Sequence, residues 1–334
     1  MDREQEEMQF LGFFDIYIES FKVIFAWRKI FSKITLSLIL PLSFIYLLHM
    51  EISGLFFRKI IHNERELDRT RAGTPKYEKL SDLISNEWAY FWLFKAAYFT
   101  LYFIFSLLST AAVVYTIAAV YTARQLTFAK VMSVVPKVWR RLMVTFLCIF
   151  VAMFLYHLVA LVMLFVWVWV LTIGSINVDV VVLVLFVFLY LAGLLYLTTI
   201  WNLASVISVL EESYGIQAMV KSRNLIKGKL WLAMVIFLIL GVFYWIIQSL
   251  FQGLVVDGTR FHMLNRVAIG ILCFLLLSNF FLIGLVVQTV IYFVCKSYHH
   301  ENIDKSALSD HLEVYLGEYV PLKAKDVQLE QYQV

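Results

Sequence analysis

A chain of 334 residues that is 62% hydrophobic and only 16% charged is far more apolar than a soluble domain, in which about a quarter of residues are charged. Its 28 basic and 24 acidic residues leave a formal net charge of +4, and no nucleic-acid partner is expected. The three cysteines, Cys148, Cys273 and Cys295, sit inside or at the end of apolar stretches and are odd in number, which argues against a disulfide framework.

Residues 1–29 are expected to form a cytoplasmic amphipathic segment. Phe14, Tyr17, Ile18, Phe21, Ile24 and Phe25 recur at helical spacing, with Asp15, Glu19 and Lys22 on another face. Asp2, Glu4, Glu6 and Glu7 replace the basic start of a cleavable signal, so the first span itself is expected to drive insertion. The membrane domain, 30–295, contains six stretches that meet the about 20 apolar residues a spanning helix needs, at about 30–57, 91–123, 142–172, 180–210, 230–256 and 267–295. The runs are continuous, without the two-residue alternation of barrel strands, so the predicted fold class is all-α integral membrane. Pro41 is expected to kink the first span. A non-cytoplasmic loop, 58–90, should follow it. In the second span Ser106, Thr110, Ala112, Thr116, Ala119 and Ala123 mark a face suited to close helix contact. Gly174, Ser175 and Asn177 beside Asp179 predict a tight hairpin between the third and fourth spans. Residues 296–334 are expected to be a cytoplasmic tail.

Cytoplasmic termini put eighteen basic residues in inside segments and ten in outside segments, the bias that orients helical membrane proteins. Three inside segments share a pattern: an amphipathic stretch, a basic and aromatic cluster, then an apolar run. The second stretch carries Phe128, Val131, Met132, Val135, Val138 and Trp139; the third carries Ile216, Met219, Val220 and Ile226, interrupted by Arg223. The clusters supply interfacial anchors: Trp27, Arg28 and Lys29; Trp139, Arg140 and Arg141; Lys229 and Trp231. The pattern suggests a threefold repeat of one interfacial helix plus two spans.

The run Glu211-Glu212-Ser213-Tyr214-Gly215-Ile216-Gln217-Ala218-Met219-Val220-Lys221-Ser222-Arg223-Asn224-Leu225-Ile226-Lys227-Gly228-Lys229 resembles the acid, Gly, Ala, basic-Ser, Leu, Lys-Gly pattern of the membrane domain found in glycerophosphoryl diester phosphodiesterase relatives, over about the second half of the chain. Nearly the whole chain, especially 7–57 and 296–334, resembles an uncharacterised plant family of six-span membrane proteins. Some of its members are labelled poly(A)-binding-protein-binding by name transfer, a label that carries no mechanism. The resemblance implies a fold and is silent on activity, because a phosphodiesterase needs a separate catalytic barrel of about 250 residues.

Candidate chemistry is sparse. His299, His300, Glu301, Asp310 and His311 match no metal-site spacing, and Lys227-Gly228-Lys229 lacks the flanking residues of a phosphate loop. No cofactor and no catalytic residue is expected. Asn202, Gln248, Gln252, Asn279 and Gln288 are the intramembrane polar groups, read first as interhelical glue. Gln248 and Gln252, with Ser249 and Gly253 beside them, are expected to mark the inward side of the fifth span. Tyr319 and Leu322 fit a tyrosine-based sorting motif, which makes cytoplasmic trafficking adaptors the expected partners besides the bilayer. Together these features point to a multi-pass scaffold, trafficking or membrane-organising component of the plasma membrane or late secretory pathway. The alternative is a transporter or channel for a small or lipidic solute, with the amides lining its path.

Overall fold

The computed structural model describes residues 5–122, 127–173, 180–258 and 262–299. Within them every regular element is a helix. A backbone surrounded by hydrocarbon must satisfy its own N–H and C=O groups, and continuous apolar runs do so by winding into helices.

A 3-10 turn, Gln5–Phe10, precedes α1, Phe13–Ala26. Asp15 helps begin α1 by accepting a hydrogen bond from the Gly12 N–H at 3.0 Å. α2, Arg28–Ile34, runs into a π-turn, Thr35–Ile39, and then α3, Leu40–Arg69. Pro41 therefore sits at the start of α3, and the irregularity expected at this proline takes the form of a widened turn before it. α4 is Pro75–Tyr121, α5 Phe128–Ile173 and α6 Val180–Leu210. A short α7, Ile216–Leu225, leads to α8, Leu230–Phe251, a second π-turn, Gln252–Val256, and α9, Met263–Tyr298. Six of these helical stretches are long and apolar enough to cross a membrane: Arg28–Arg69, Pro75–Tyr121, Phe128–Trp169, Val182–Leu210, Leu230–Val256 and Met263–Tyr298. Six such helices are compatible with a multi-pass membrane protein.

Two expectations need correction. The stretch 58–90, read as a loop, is helical on both sides of a short connection, because α3 continues to Arg69 and α4 begins at Pro75. Its mixed charges knit the two helices together: Lys59 pairs with Glu87 at 3.0 Å, Asn63 donates to Glu87 at 2.8 Å and Trp88 donates to Glu64 at 3.2 Å. The second amphipathic stretch is not a separate helix, since α5 runs through Pro136 without a break. The hairpin at 174–179 lies outside the described residues.

The chain divides into two compact units, one formed by Phe31–Ser109 and Ile239–Gly284, the other by Met1–Ile30, Thr110–Leu238 and Leu285–Val334. The core of the first gathers Tyr46, Leu47, Ile247, Phe251, Val256, Cys273 and Leu277. Rings of Tyr102, Tyr244 and Phe281 pack on Tyr46 with centroids 5.8–6.5 Å apart. In the same unit the π-turn ends in two carbonyls that would otherwise lack partners. Arg58 donates to the Val256 carbonyl at 2.8 Å and Arg266 Nε to the Val255 carbonyl at 2.9 Å, while Glu51 lies 3.4 Å from Arg266. The cations also complement the negative end of the helix dipole.

The second unit is built around the ends of α4, α6 and α9. Ala111 to Ala119, Leu203 to Leu210 and Val286 to Cys295 are buried almost without interruption. Thr110 and Thr116 are buried among them, and the Thr116 hydroxyl donates to the Ala112 carbonyl at 2.7 Å. α5 and α6 leave this core as a pair fastened by Tyr156, which donates to the Tyr190 carbonyl at 2.7 Å and stacks on the Tyr190 ring at 5.6 Å.

Candidate functional site

Within the second unit, the densest arrangement of polar groups surrounds α7. The helix is preceded by Gly215, whose φ of +62° is open to glycine and strained for a side chain. A Cβ there would also stand 3.4 Å from Val144 and 3.5 Å from the Cys148 sulfur. The Gly215 N–H donates to Thr145 Oγ1 at 2.8 Å, fixing the start of α7 to α5. Ala218 and Ser222 are fully buried, and the Ser222 hydroxyl donates to the Ile200 carbonyl at 2.9 Å, fixing the middle of α7 to α6. Gly228, at φ +89°, ends the segment directly against the Tyr298 ring, leaving no room for a methyl group.

Glu211 anchors the approach to α7. Its Oε2 is 2.6 Å from Lys221 Nζ, and its Oε1 accepts from the Tyr292 hydroxyl at 2.6 Å and from Lys296 at 3.2 Å. Burial pushes this carboxyl pKa up, but Lys296, Lys221 and the Tyr292 hydrogen bond outweigh burial and hold it below the usual range. The acid, Gly, Ala, Ser, Leu and Lys-Gly positions of 211–229 therefore have a common use: they seat one short helix on its neighbours.

The expected anchors lie largely where solvent or lipid can reach them. Trp27 is half-buried at the break between α1 and α2, while Arg28 and Lys29 are exposed. Trp139 and Arg140 are exposed, Arg141 is half-buried, and Trp231 is 78% exposed. Lys229 is half-buried, with its ammonium 5.4 Å from the centre of the Tyr298 ring.

The five amides do not form one set. Gln288 is buried in the second unit, and Asn202 is half-buried there. Gln248 and Gln252 are half-buried, but Ser249 and Gly253 are exposed, so the inward side expected from those four residues is not a single face. Gln252 donates along its own chain to Asp257 at 2.9 Å, and the exposed Asn279 returns to the Leu275 carbonyl of its own helix at 2.9 Å. Hydrogen bonds inside one helix satisfy an amide without gluing helices together. Tyr319 and Leu322 lie outside the described residues, as do His300, Glu301, Asp310 and His311. His299 Nε2 is 2.9 Å from the Lys227 carbonyl, and no group of three metal-ligating side chains occurs among the described residues.

Residue spacing also missed a pair. Lys95 and His49 meet at 2.7 Å, with the imidazole stacked 3.6 Å from the Tyr98 ring. His49 is followed by Met50 and Glu51, so charge counting treats it as part of a span edge; only the packing of α3 on α4 reveals the contact.

A model for a domain of unknown function (DUF8558) matches residues 1–332. The chain belongs to this family. No curated protein and no solved structure matches it.

Proposed function

We propose that this protein is a non-enzymatic multi-pass scaffold, trafficking or membrane-organising component, with both termini cytoplasmic. The observation that carries this reading is how its polar groups are used. Glu211, Thr145, Ser222, Arg58 and Arg266 each fasten one helix to another. Polar side chains committed in this way hold an architecture together and leave the surface as the working part. The amides that would line a solute path are divided between different environments, with Gln252 and Asn279 bonded within their own segments.

The basic ends of the spans form the working surface. Along α1, Ile16, Glu19, Ser20 and Val23 are buried, whereas Phe14, Ile18, Phe21 and Phe25 are exposed. An exposed apolar stripe beside Arg28 and Lys29 suits the headgroup boundary of the cytoplasmic leaflet. The same buried spacing recurs at Val131, Val134, Val135 and Val138 in α5 and at Ala218, Ser222 and Leu225 in α7. This spacing supports a threefold repeated unit in which a docked interfacial segment precedes a pair of spans. The resemblance to the membrane domain of phosphodiesterase relatives and to the plant six-span family is read as one of architecture. Long apolar helices such as α6, at 31 residues, measure about 46 Å at about 1.5 Å per residue, which suits the thicker plasma membrane or late secretory membranes.

Proximity labelling from a tag at Val334 tests the reading. A scaffold returns a reproducible set of cytoplasmic partners, including trafficking adaptors that depend on Tyr319 and Leu322. A partner set no different from that of an unrelated six-span protein removes the scaffold role. Rapid modification of cysteines placed at 248 and 252 by an impermeant thiol reagent, suppressed by a solute, would replace it with the transporter.

A further inference from the structure

Two cavities flank α7, and their linings differ in kind. One, of about 550 Å³, is an apolar groove between α5, α6 and α7, walled by residues such as Leu147, Val151, Leu155 and Leu197. Its single charged lining residue is Arg223. The other, of about 620 Å³, lies across α7 and is lined by polar groups including Asn224, Lys227 and His299. Both volumes fall in the range of ordinary ligand pockets.

Ile216 and Val220 line both cavities and are 69% and 55% exposed, so they form the divide between them. By helical spacing the exposed Arg223 comes next along that side of α7, and the exposed Lys227 lies in the turn after the helix, where its ammonium donates to Asn224 Oδ1 at 3.0 Å. The outer side of α7 thus passes from apolar Ile216 and Val220 to a cation at Arg223, and the turn that follows adds a second at Lys227. Among the described residues no carboxylate pairs with Arg223. Lys221, in contrast, is committed to Glu211 at 2.6 Å.

We propose that this side of α7 binds an anionic phospholipid, with one acyl chain in the groove between α5, α6 and α7 and the headgroup phosphate at Arg223 and Lys227. The groove offers hydrocarbon surfaces and no polar partner deep inside it, which suits a chain and excludes a free ion. A guanidinium presents paired donors that match phosphate oxygens. The second cation, Lys227 in the turn after α7 and on the lining of the second cavity, adds charge that a zwitterionic headgroup does not need and an anionic one does. Thr145, Ser222 and Glu211 hold α7 in place, so the site is pre-formed, which lowers the ordering cost of binding. The site stands on the geometry of the second unit and on the spans lying in a bilayer. It does not require the scaffold role.

The test uses the full chain in nanodiscs of phosphatidylcholine containing a minor fraction of phosphatidic acid, with retained lipid read by native mass spectrometry after extraction. The unaltered protein should retain phosphatidic acid in preference to phosphatidylcholine. The double variant Arg223→Gln with Lys227→Gln, both at exposed positions, should lose on the order of tenfold of that preference, the scale of one charge-assisted contact. Val151→Trp, which fills the groove from an exposed position, should reduce retention of either lipid. Ile216→Asp charges the exposed divide and provides the same test if the tryptophan variant does not fold. Glycerol 3-phosphate, a headgroup without chains, should not displace the lipid. Equal retention of the two lipids, an unchanged preference in the double variant, or displacement by glycerol 3-phosphate would each overturn the site. The proximity-labelling partners of the double variant report separately on the scaffold role, so the two readings can fail independently.

Discussion

Two uncharged stretches in the same unit behave oppositely. Residues 110–119, near the end of α4, are rich in Ala, Thr and Val, and all of them are buried. Residues 147–169 of α5 are rich in Leu, Phe, Val, Met and Trp, and most of them are exposed. Across its most apolar window α4 is 67% buried and α5 only 6%. In water the larger apolar side chains would be the ones driven inside. In a bilayer lipid accepts them without cost, and the tightest helix contacts go to small residues that let backbones approach. Size, more than hydrophobicity, separates the buried stretch from the exposed one.

The comparison breaks most severely if a large side chain is forced into the small-residue stretch. Ala112→Phe should destabilise the protein by about 3 kcal/mol, the upper range for overpacking, read as a lower unfolding temperature in detergent. An unchanged midpoint would mean that 110–119 is loosely packed.

Replacing Glu211 by Gln should cost about 2 kcal/mol, because Lys221 and Lys296 lose their buried counter-charge while some hydrogen bonding remains. The pH dependence follows from the lowered pKa of this carboxyl. A depressed folded-state pKa adds stability that is fully present above the unfolded value, about 4.3 for a glutamate, and is lost as pH falls through the folded value. The stability gap between the parent and Glu211→Gln should therefore be widest near neutral pH and close in acid. A gap that persists in acid would show that hydrogen bonding, not charge, carries the contribution.

Gly215→Ala should cost about 1–2 kcal/mol, the strain of a Cβ in the left-handed region. Trypsin cleavage after Lys221 or Arg223 should accelerate as α7 loosens, and unchanged cleavage would mean that Thr145 is not what seats the helix. At the small end, Phe154→Leu in the exposed part of α5 should change stability by no more than about 0.5 kcal/mol. A larger loss would expose a protein contact on a face assigned to lipid.

Much of this architecture was legible in the residues. The six apolar runs announced six helices long and apolar enough to span a membrane, and Thr110, Ala112, Thr116 and Ala119 announced the buried stretch of α4, because in lipid such patterns have few alternative uses. The stripe of Phe14, Ile18, Phe21 and Phe25 was legible as one face of a helix. Its direction was not: apolar side chains in a membrane protein can face lipid or core equally well, and here Ile16, Glu19, Ser20 and Val23 take the inside.

Composition and spacing by themselves determined the class of the protein, the number of candidate spans and the basic belt at their ends, since these follow from local runs of residues and from the bilayer as solvent. Only the tertiary structure decided that Glu211 meets Lys221, Tyr292 and Lys296, that Gly215 rests on Thr145, and that Arg58 and Arg266 close the π-turn. Those partners are separated by up to 198 residues along the chain. Contacts at that range depend on which helices are neighbours and how they are rotated, and no local pattern encodes either.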